Sequence, residues 1–390
     1  MPMADSPSIL FIAGDVSGDV HSAALGRALL ARDPAPALHA LGGSRLREVV
    51  RQSSGGQFLG DTSNLSAIGI PSAIKVYFRC RELRDVLRAF LRNTHVDLVI
   101  LCDWGAFNGR IVRELHALGL PVLYYFPPSS WRRNGSHGLA IAPYVRRVAT
   151  PFAWSAERLR GAGCEAEWVG HPALENVRSE EDRVALRSSF RIGANERLVA
   201  LLPGSRLSEI RVLAPRIADA AEIITRSNPQ LRFIAVVPAE LAKAAREHLP
   251  ASIEVVTDCA SDLLAAADVA IVKTGTATLE AALSGTPQVA VYDFSVATRI
   301  EWCLLWAWRR IPFVAMPNII LEREAVPELI GLNCTAPKIA ATLTRLLKDD
   351  VARAKMLEEY ALIRKALGAE LPVAPTERTA EIVAEMLAQL

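Results

Sequence analysis

Along the whole of this chain a short apolar run stops at a turn and passes straight into a helix-compatible segment, a pattern that leaves few folds open. The runs read as strands over residues 8–13, 38–41, 96–102, 121–126, 145–149 and 166–169. They resume over 198–202, 231–237, 253–257, 269–272 and 288–292. Most are apolar throughout rather than alternating, which is how strands covered on both faces read. Segments of helical length lie between them, so each half implies a mostly parallel sheet with helices on both sides. Gly170-His171-Pro172 is a natural hinge between the halves, and a lone histidine there reads more readily as a satisfied turn residue than as a catalyst. The expected class is α/β with two Rossmann-like domains, residues 1–171 and 172–354, and 390 residues suit two cores better than one. A small-molecule site is expected in the cleft that two such domains make.

Composition removes several functions. With 51% hydrophobic and 22% charged residues the chain is an ordinary globular protein. A net charge of +2 gives no basis for binding nucleic acid. Cys80, Cys102, Cys164, Cys259, Cys303 and Cys334 are scattered, without a Cys-x-x-Cys pair or a histidine at metal spacing, so reduced cytosolic thiols are expected. No signal-peptide pattern and no 18-residue uncharged apolar run is found, so neither secretion nor membrane spanning is expected. The segment Trp302-Cys303-Leu304-Leu305-Trp306-Ala307-Trp308, closed by Arg309-Arg310, is too short to span. Its tryptophans and arginines suit a membrane interface, and a core helix would look the same.

The stretch from Val269 to Glu280 carries the most chemistry: a strand, the loop Lys273-Thr274-Gly275, and a helix start. The N–H groups and positive dipole end of such a helix favour an anion. Gly275 presents no Cβ to a phosphate, and Thr274, Thr276 and Thr278 offer hydroxyls. Glu280 lies four residues past Thr276, off the spacing of a capping box, and reads either as a favourable charge near the dipole or as a partner for ribose hydroxyls. Leu202-Pro203-Gly204-Ser205-Arg206 repeats the build, and Arg206 adds a forked cation suited to a diphosphate. If the two strands are neighbours, both helix ends aim at one spot. The chain has neither G-x-x-x-x-G-K-[ST] nor Asp-x-Asp, which removes the P-loop and the usual carboxylate pair for a metal-chelated nucleotide sugar. A diphosphate held by helix ends and arginine describes a metal-independent nucleotide-sugar enzyme, in which a carboxylate deprotonates the acceptor hydroxyl. Asp103, at the carboxyl end of the strand 96–102, is placed either to be that base or to cap a helix. The first loop, Gly14-Asp15-Val16-Ser17-Gly18-Asp19, is not G-x-G-x-x-G. A helical pattern over residues 74–91, with Arg79, Arg81, Arg84, Arg88 and Arg92 along it, makes a basic face that reads first as solvated and would also suit anionic lipid.

In this order the motifs resemble the lipid-A-disaccharide synthase family, inverting glycosyltransferases of the GT-B fold. The likeness rests on Ala13-Gly14-Asp15-Val16-Ser17-Gly18-Asp19, on Leu202-Pro203-Gly204-Ser205-Arg206 with Glu209, and on Gly275-Thr276-Ala277-Thr278-Leu279-Glu280. Met316-Pro317-Asn318-Ile319, with Arg323-Glu324 and Pro327-Glu328-Leu329, adds to it. The resemblance implies two Rossmann-like domains facing each other across a cleft, with a C-terminal helix of about residues 355–390 packed back on the first. It implies transfer of an acylated glucosamine from a UDP-linked donor to a lipid-linked glucosamine phosphate acceptor at the inner surface of the cytoplasmic membrane. It calls for no cofactor, no metal and no nucleic acid, and leaves room for a homodimer. Residue by residue, it assigns Asp103 as the catalytic base. Asp15, Ser17, Gly18, Asp19, Asn108 and Trp131 fall on the acceptor side, and Gly204, Ser205, Arg206, Gly275, Thr276, Glu280 and Asn318 fall around UDP.

The chain departs from the family pattern in the loops. Asp15 stands where glutamate is usual, Ala106 where a second aspartate precedes Phe-Asn, and Lys273 where a small residue is usual. Pro127-Pro128-Ser129-Ser130-Trp131-Arg132-Arg133-Asn134 replaces Ser-Pro-Ser-Val-Trp-Ala-Trp-Arg. Two other readings stay open: a non-catalytic or altered-acceptor UDP-sugar-binding paralogue, and a UDP-sugar epimerase of the same fold.

Overall fold

Two parallel sheets gather the apolar runs, most successive strands being joined by a helix. The computed structural model describes residues 6–62, 65, 70–133, 138–193, 195–293 and 312–390. The chain divides into two units, Met1–Glu175 with Ala366–Leu390, and Asn176–Lys365.

The first unit holds β1 (Ser8–Ala13), β2 (Ala37–Gly42), β3 (Gln57–Asp61), β4 (Leu98–Cys102), β5 (Val122–Tyr125), β6 (Arg147–Thr150) and β7 (Ala166–Trp168). They lie in the order β3-β2-β1-β4-β5-β6-β7, every pair parallel. Alternate residues of one strand feed opposite cores: Ile9 and Phe11 pack with Leu38 and Ile100 on one side, Leu10 and Ile12 with Val99 and Tyr124 on the other. Both faces are dry, which is why these strands show no polar alternation in sequence. The helices are α1 (Asp15–Leu30), α2 (Ser44–Gln52), α3 (Ile70–Asn93), α4 (Gly105–Ala117) and α5 (Ala153–Gly161). The basic face of α3 is engaged: Arg79 pairs with Glu82, and Arg84 and Arg88 both reach Glu114 of α4.

The second unit contains α6 (Glu180–Ser189), β8 (Arg197–Leu202), α7 (Leu207–Ser227), β9 (Leu231–Val237), α8 (Ala242–His248), β10 (Glu254–Thr257) and α9 (Ala260–Ala266). It continues with β11 (Val269–Lys273), α10 (Thr276–Leu283), β12 (Gln288–Tyr292), α11 (Met316–Leu321), β13 (Glu328–Ile330), α12 (Ala336–Lys348) and α13 (Asp350–Ala366). The sheet order is β10-β9-β8-β11-β12-β13, again all parallel.

In each sheet the chain builds outward to the third strand and then crosses back beside the first. The order therefore reverses between β1 and β4, and between β8 and β11. Open α/β sheets bind ligands outside the carboxyl ends of their strands at such reversals.

The first unit runs past the Gly170-His171-Pro172 turn to Glu175, whose carboxylate accepts from the backbone N–H and hydroxyl of Thr376 (2.7 and 2.8 Å). A last helix, α14 (Pro375–Leu387), buries Ala380, Ile382, Val383 and Met386 in the same core as Ile9 and Phe11. Arg378 ties it to Glu167 of β7, while bonding Glu381 and Glu385 of its own helix. Among the described residues no helix is long and apolar enough to cross a membrane. The Trp302–Arg310 segment lies outside the described residues, so its interfacial reading stays an expectation.

Candidate functional site

Because β8 and β11 are hydrogen-bonded neighbours, with Leu202 beside Val272, the two glycine loops leave the sheet side by side. Gly204 and Gly275 each have φ of +136°, a conformation that side chains disfavour. What faces them differs. A Cβ on Gly204 would lie 2.6 Å from Glu209 Cβ and 2.7 Å from its Oε2; on Gly275 it would meet Lys273 Nζ at 3.6 Å.

Glu209 is 5% exposed and binds both loops. Its carboxylate accepts from the Ser205 N–H (3.0 Å), from Arg206 Nη1 (3.2 Å) and from Lys273 Nζ (2.8 Å). A buried carboxylate is costly unless paired and hydrogen-bonded, and this one sits at the first turn of α7, where the helix dipole also favours it. Lys273 stands at the end of β11, with its ammonium also 5.5 Å from the Tyr292 ring centre. Burial foremost, then the Glu209 charge, pushes the Tyr292 hydroxyl's pKa up, which puts β12 in the same electrostatic cluster. Thr276 is exposed at the start of α10, and Glu280 is half-buried one turn on.

Several residues expected at the donor site are already spent on the fold. Ser205 gives its amide to Glu209. The Thr278 hydroxyl donates to Gly275 O (2.7 Å) and accepts from Met316 N (3.1 Å), joining α10 to α11. Asn318 is fully buried: its Nδ2 donates to Val326 O and Glu328 Oε1 (both 2.8 Å), and its Oδ1 accepts from the Ala325 and Val326 amides. Every donor and acceptor of that amide is thus used in holding α11 against the 325–328 segment, so Asn318 shapes the site without offering a free group to a ligand. Glu328 completes the clamp by accepting from the amides of Val314 and Ala315.

In the first unit the β1/β4 switch point carries Asp103. It sits in left-handed backbone (φ 52°), and so does Trp104 (φ 50°). Such conformations cost of order 1–3 kcal/mol each and persist only where the surroundings fix them. Here the Asp103 N–H donates to Phe126 O, and its carbonyl accepts from Asn108 Nδ2 (2.9 Å) and the Tyr124 hydroxyl (2.8 Å). Trp104 stacks on Phe107 and covers Gly14, where any Cβ would fall 2.2 Å from the indole. Four of the seven described non-glycine residues with positive φ are Asp103, Trp104, Phe126 and Ser129, all past the ends of β4 and β5. Asp103 does not cap α4; Trp104 occupies that position, without a side-chain cap bond.

Gly18 comes close to this aspartate, its position for a Cβ lying 3.7 Å from Asp103 Cβ, so the first loop and the candidate base are brought together. Ser17 is half-buried on the same turn, and Asp15 opens α1. Asp19 and Asn108, expected on the acceptor side, are both engaged within the fold. Asp19 is buried, and its carboxylate accepts from the amides of Gly43, Arg45 and Leu46, holding the first turn of α2. Asn108 is fully buried and reaches Ile12 O and Cys102 O as well as Asp103 O, pinning the ends of β1 and β4. Trp131 lies under the Arg132 guanidinium (4.7 Å) in a segment held from α5, where Trp154 donates to Ser130 O and Arg158 to Arg132 O. His171 is a satisfied turn residue: Nδ1 accepts from the Ala173 N–H, and His21, Phe126 and Phe152 surround the ring.

Sequence reasoning missed Glu209 as the link between the donor loops, although its place three residues past Arg206, one helical turn, was a usable signal. It also missed Trp104 and Tyr124, whose roles depend on strand neighbours that no local pattern shows.

A sequence model of the family described as lipid-A-disaccharide synthetase matches residues 9–375. The lipid-A-disaccharide synthase of Myxococcus xanthus (strain DK1622) is 32% identical over 395 residues, covering 99% of each chain. Among solved structures, UGT89C1 of Arabidopsis thaliana is similar with a TM-score of 0.62 at 16% identity, covering 98% of this chain and 100% of that one. The UDP-GlcNAc 2-epimerase of Neisseria meningitidis, solved bound to UDP-GlcNAc, has a TM-score of 0.59 at 12% identity, with the same coverage. At these identities the structural likeness shows a shared two-sheet fold that serves transferase and epimerase alike, whereas the sequence match spans nearly the whole chain. The chain belongs to the lipid-A-disaccharide synthase family, glycosyltransferases of lipid A biosynthesis.

Proposed function

We propose that the protein transfers an acylated glucosamine from a UDP-linked donor to a lipid-linked glucosamine phosphate, with inversion and without a metal. The observation that carries the donor half is the β8/β11 switch point, where the N-terminus of α10, Arg206 and Lys273 meet beside two glycines in backbone that side chains disfavour. The diphosphate is held there by cations and helix-end amides, which suit a charge that grows as UDP leaves. Glu280, half-buried one turn along α10, is the partner for the ribose hydroxyls. Asp103 is the base: its carboxylate takes the proton of the acceptor hydroxyl as that oxygen bonds to the anomeric carbon. The bond from that carbon to the UDP oxygen breaks on the opposite face, and the electron pair leaves with UDP. Proximity to Gly18 and a backbone fixed by Asn108 and Tyr124 support this role, since a base needs a set position.

The test is UDP release with acylated and non-acylated glucosamine phosphates, alongside Asp103→Asn. Loss of about 10²–10⁴-fold in turnover with UDP affinity kept is expected of a general base. Unchanged turnover removes Asp103 from the role. The exposed Ala106, where the family usually has aspartate, favours one second reading, a transferase with the same donor and another acceptor. UDP release only with acceptors outside the acylated series would select it.

A further inference from the structure

Three aromatic rings close on the side chain of Phe126, just past the end of β5. His21 of α1 lies flat on it, with ring centres 4.4 Å apart and planes 3° from parallel. His171 meets the same ring edge-on at 5.3 Å, and Tyr125 does so at 4.8 Å. The two buried histidines also meet each other edge to face at 5.6 Å, so they and Phe126 form one set. Burial keeps both imidazoles neutral at neutral pH, the form in which they can adjoin without repulsion.

This set grips a residue whose backbone is disfavoured. Phe126 has φ of 57°, an outlier for a bulky side chain that persists only where the surroundings over-determine it. Its N–H donates to Ala149 O (3.2 Å), and its carbonyl accepts from the Asp103 N–H (3.1 Å). A clamp on the ring thus acts on the peptide that holds Asp103, which is itself in left-handed backbone. Helix α1 reaches the aspartate by two routes. Gly18, three residues before His21 and so on the same helix face, approaches Asp103 directly, while His21 reaches it through Phe126.

We infer that His21 and Phe126 are positioning residues for the transfer reaction, their stack fixing the backbone of Asp103 and with it the direction of the carboxylate. The flat face of His21 does this, not its nitrogens. The inference rests on the reading of Asp103 as the base.

The experiment measures UDP release with an acylated glucosamine phosphate, and UDP affinity by calorimetry, on the full-length protein. It compares wild type with His21→Ala, His21→Phe, Phe126→Leu, Asp103→Asn and the double variant His21→Ala/Asp103→Asn. Small misplacements of a catalytic group are costly, so His21→Ala and Phe126→Leu are each expected to lower kcat about 10- to 100-fold with UDP affinity unchanged. His21→Phe keeps a flat ring on Phe126 and should restore most of kcat. In the Asp103→Asn background the loss of His21 should add little, because residues that act as a unit are not additive. Circular dichroism and thermal melting confirm folding, and Phe126→Leu carries the test if His21→Ala does not fold. Full turnover in His21→Ala and Phe126→Leu overturns the inference, and so does a His21→Phe no better than alanine. A matching loss of UDP affinity marks a merely structural stack, and an undiminished further loss in the double variant marks a route that bypasses Asp103; either overturns it. Full turnover in Asp103→Asn removes the base reading and this inference with it, whereas an inactive Asp103→Asn beside a fully active His21→Ala removes the inference alone.

Discussion

Gly204 and Gly275 share one backbone geometry and differ in what faces them, so alanine at each isolates the effect of the buried Glu209 carboxylate. Both have φ of +136°, and holding a side chain there costs about 1–3 kcal/mol. At Gly275 the new methyl meets Lys273 Nζ at 3.6 Å, an ordinary contact, so strain is the whole cost. At Gly204 the methyl would stand 2.6 Å from Glu209 Cβ, and the first turn of α7 must shift to admit it. Overpacking of this kind adds about 1–3 kcal/mol. The group that moves is also the one holding Ser205, Arg206 and Lys273. Gly204→Ala is therefore expected to be the more costly by about 1–3 kcal/mol, roughly a 5- to 150-fold difference in the opening equilibrium of the second unit. Hydrogen exchange read by mass spectrometry on peptides covering β8 and β11 measures it, with β1 and β4 peptides as an internal reference. Equal loss of protection in the two variants, or a larger loss in Gly275→Ala, refutes the placement of Glu209 against Gly204.

Two further outcomes concern the fold around the sites. His21 is buried against Phe126, and burial lowers its pKa from the usual 6.5 to about 4; His171 beside it is held well below the usual value, by burial first and by His21 second. The unfolded chain binds these protons more readily, so stability is fully present above about pH 6.5 and falls as pH drops from there to about 4, by about 3 kcal/mol for His21 alone. His21→Phe should flatten that part of the profile in urea melts between pH 4 and 7, and an unchanged slope would show that the ring is not held neutral. Asn318→Asp turns two donated hydrogen bonds into facing oxygens at Val326 O and Glu328. It should destabilise the second unit by about 2–5 kcal/mol, whereas an unshifted thermal melt would mean the amide is not clamped as described.

The sheets were legible because β1, β4, β8 and β11 are apolar at nearly every position, a consequence of helices covering both faces. The edge strands β3 and β13 escaped notice: the first is Gln-Phe-Leu-Gly-Asp with no fully buried position, the second only three residues long. Asp103 and the two glycine loops could be found from strand ends and turn chemistry, which are local. The partners of Asp19, Asn108 and Asn318 could not. A polar residue beside a glycine turn has the same sequence context whether it faces a ligand or fixes a backbone. Asp19 is bonded across 24 to 27 residues to α2, and only the folded path reveals that its carboxylate is engaged.

The return of α14 to the first unit also fixes the order in which the chain can mature on the ribosome. Residues 176–365 are one continuous stretch, so the second unit is complete as soon as Lys365 emerges. The strands of the first unit precede this stretch, yet its core also takes in Ala380, Ile382, Val383 and Met386, which are made after it. Domains generally fold in the order of synthesis; here the later-encoded unit is complete first, while the earlier one waits for the helix that packs on α1. A stop codon after residue 365 would spare the donor loops and leave the unit carrying Asp103 without its last helix.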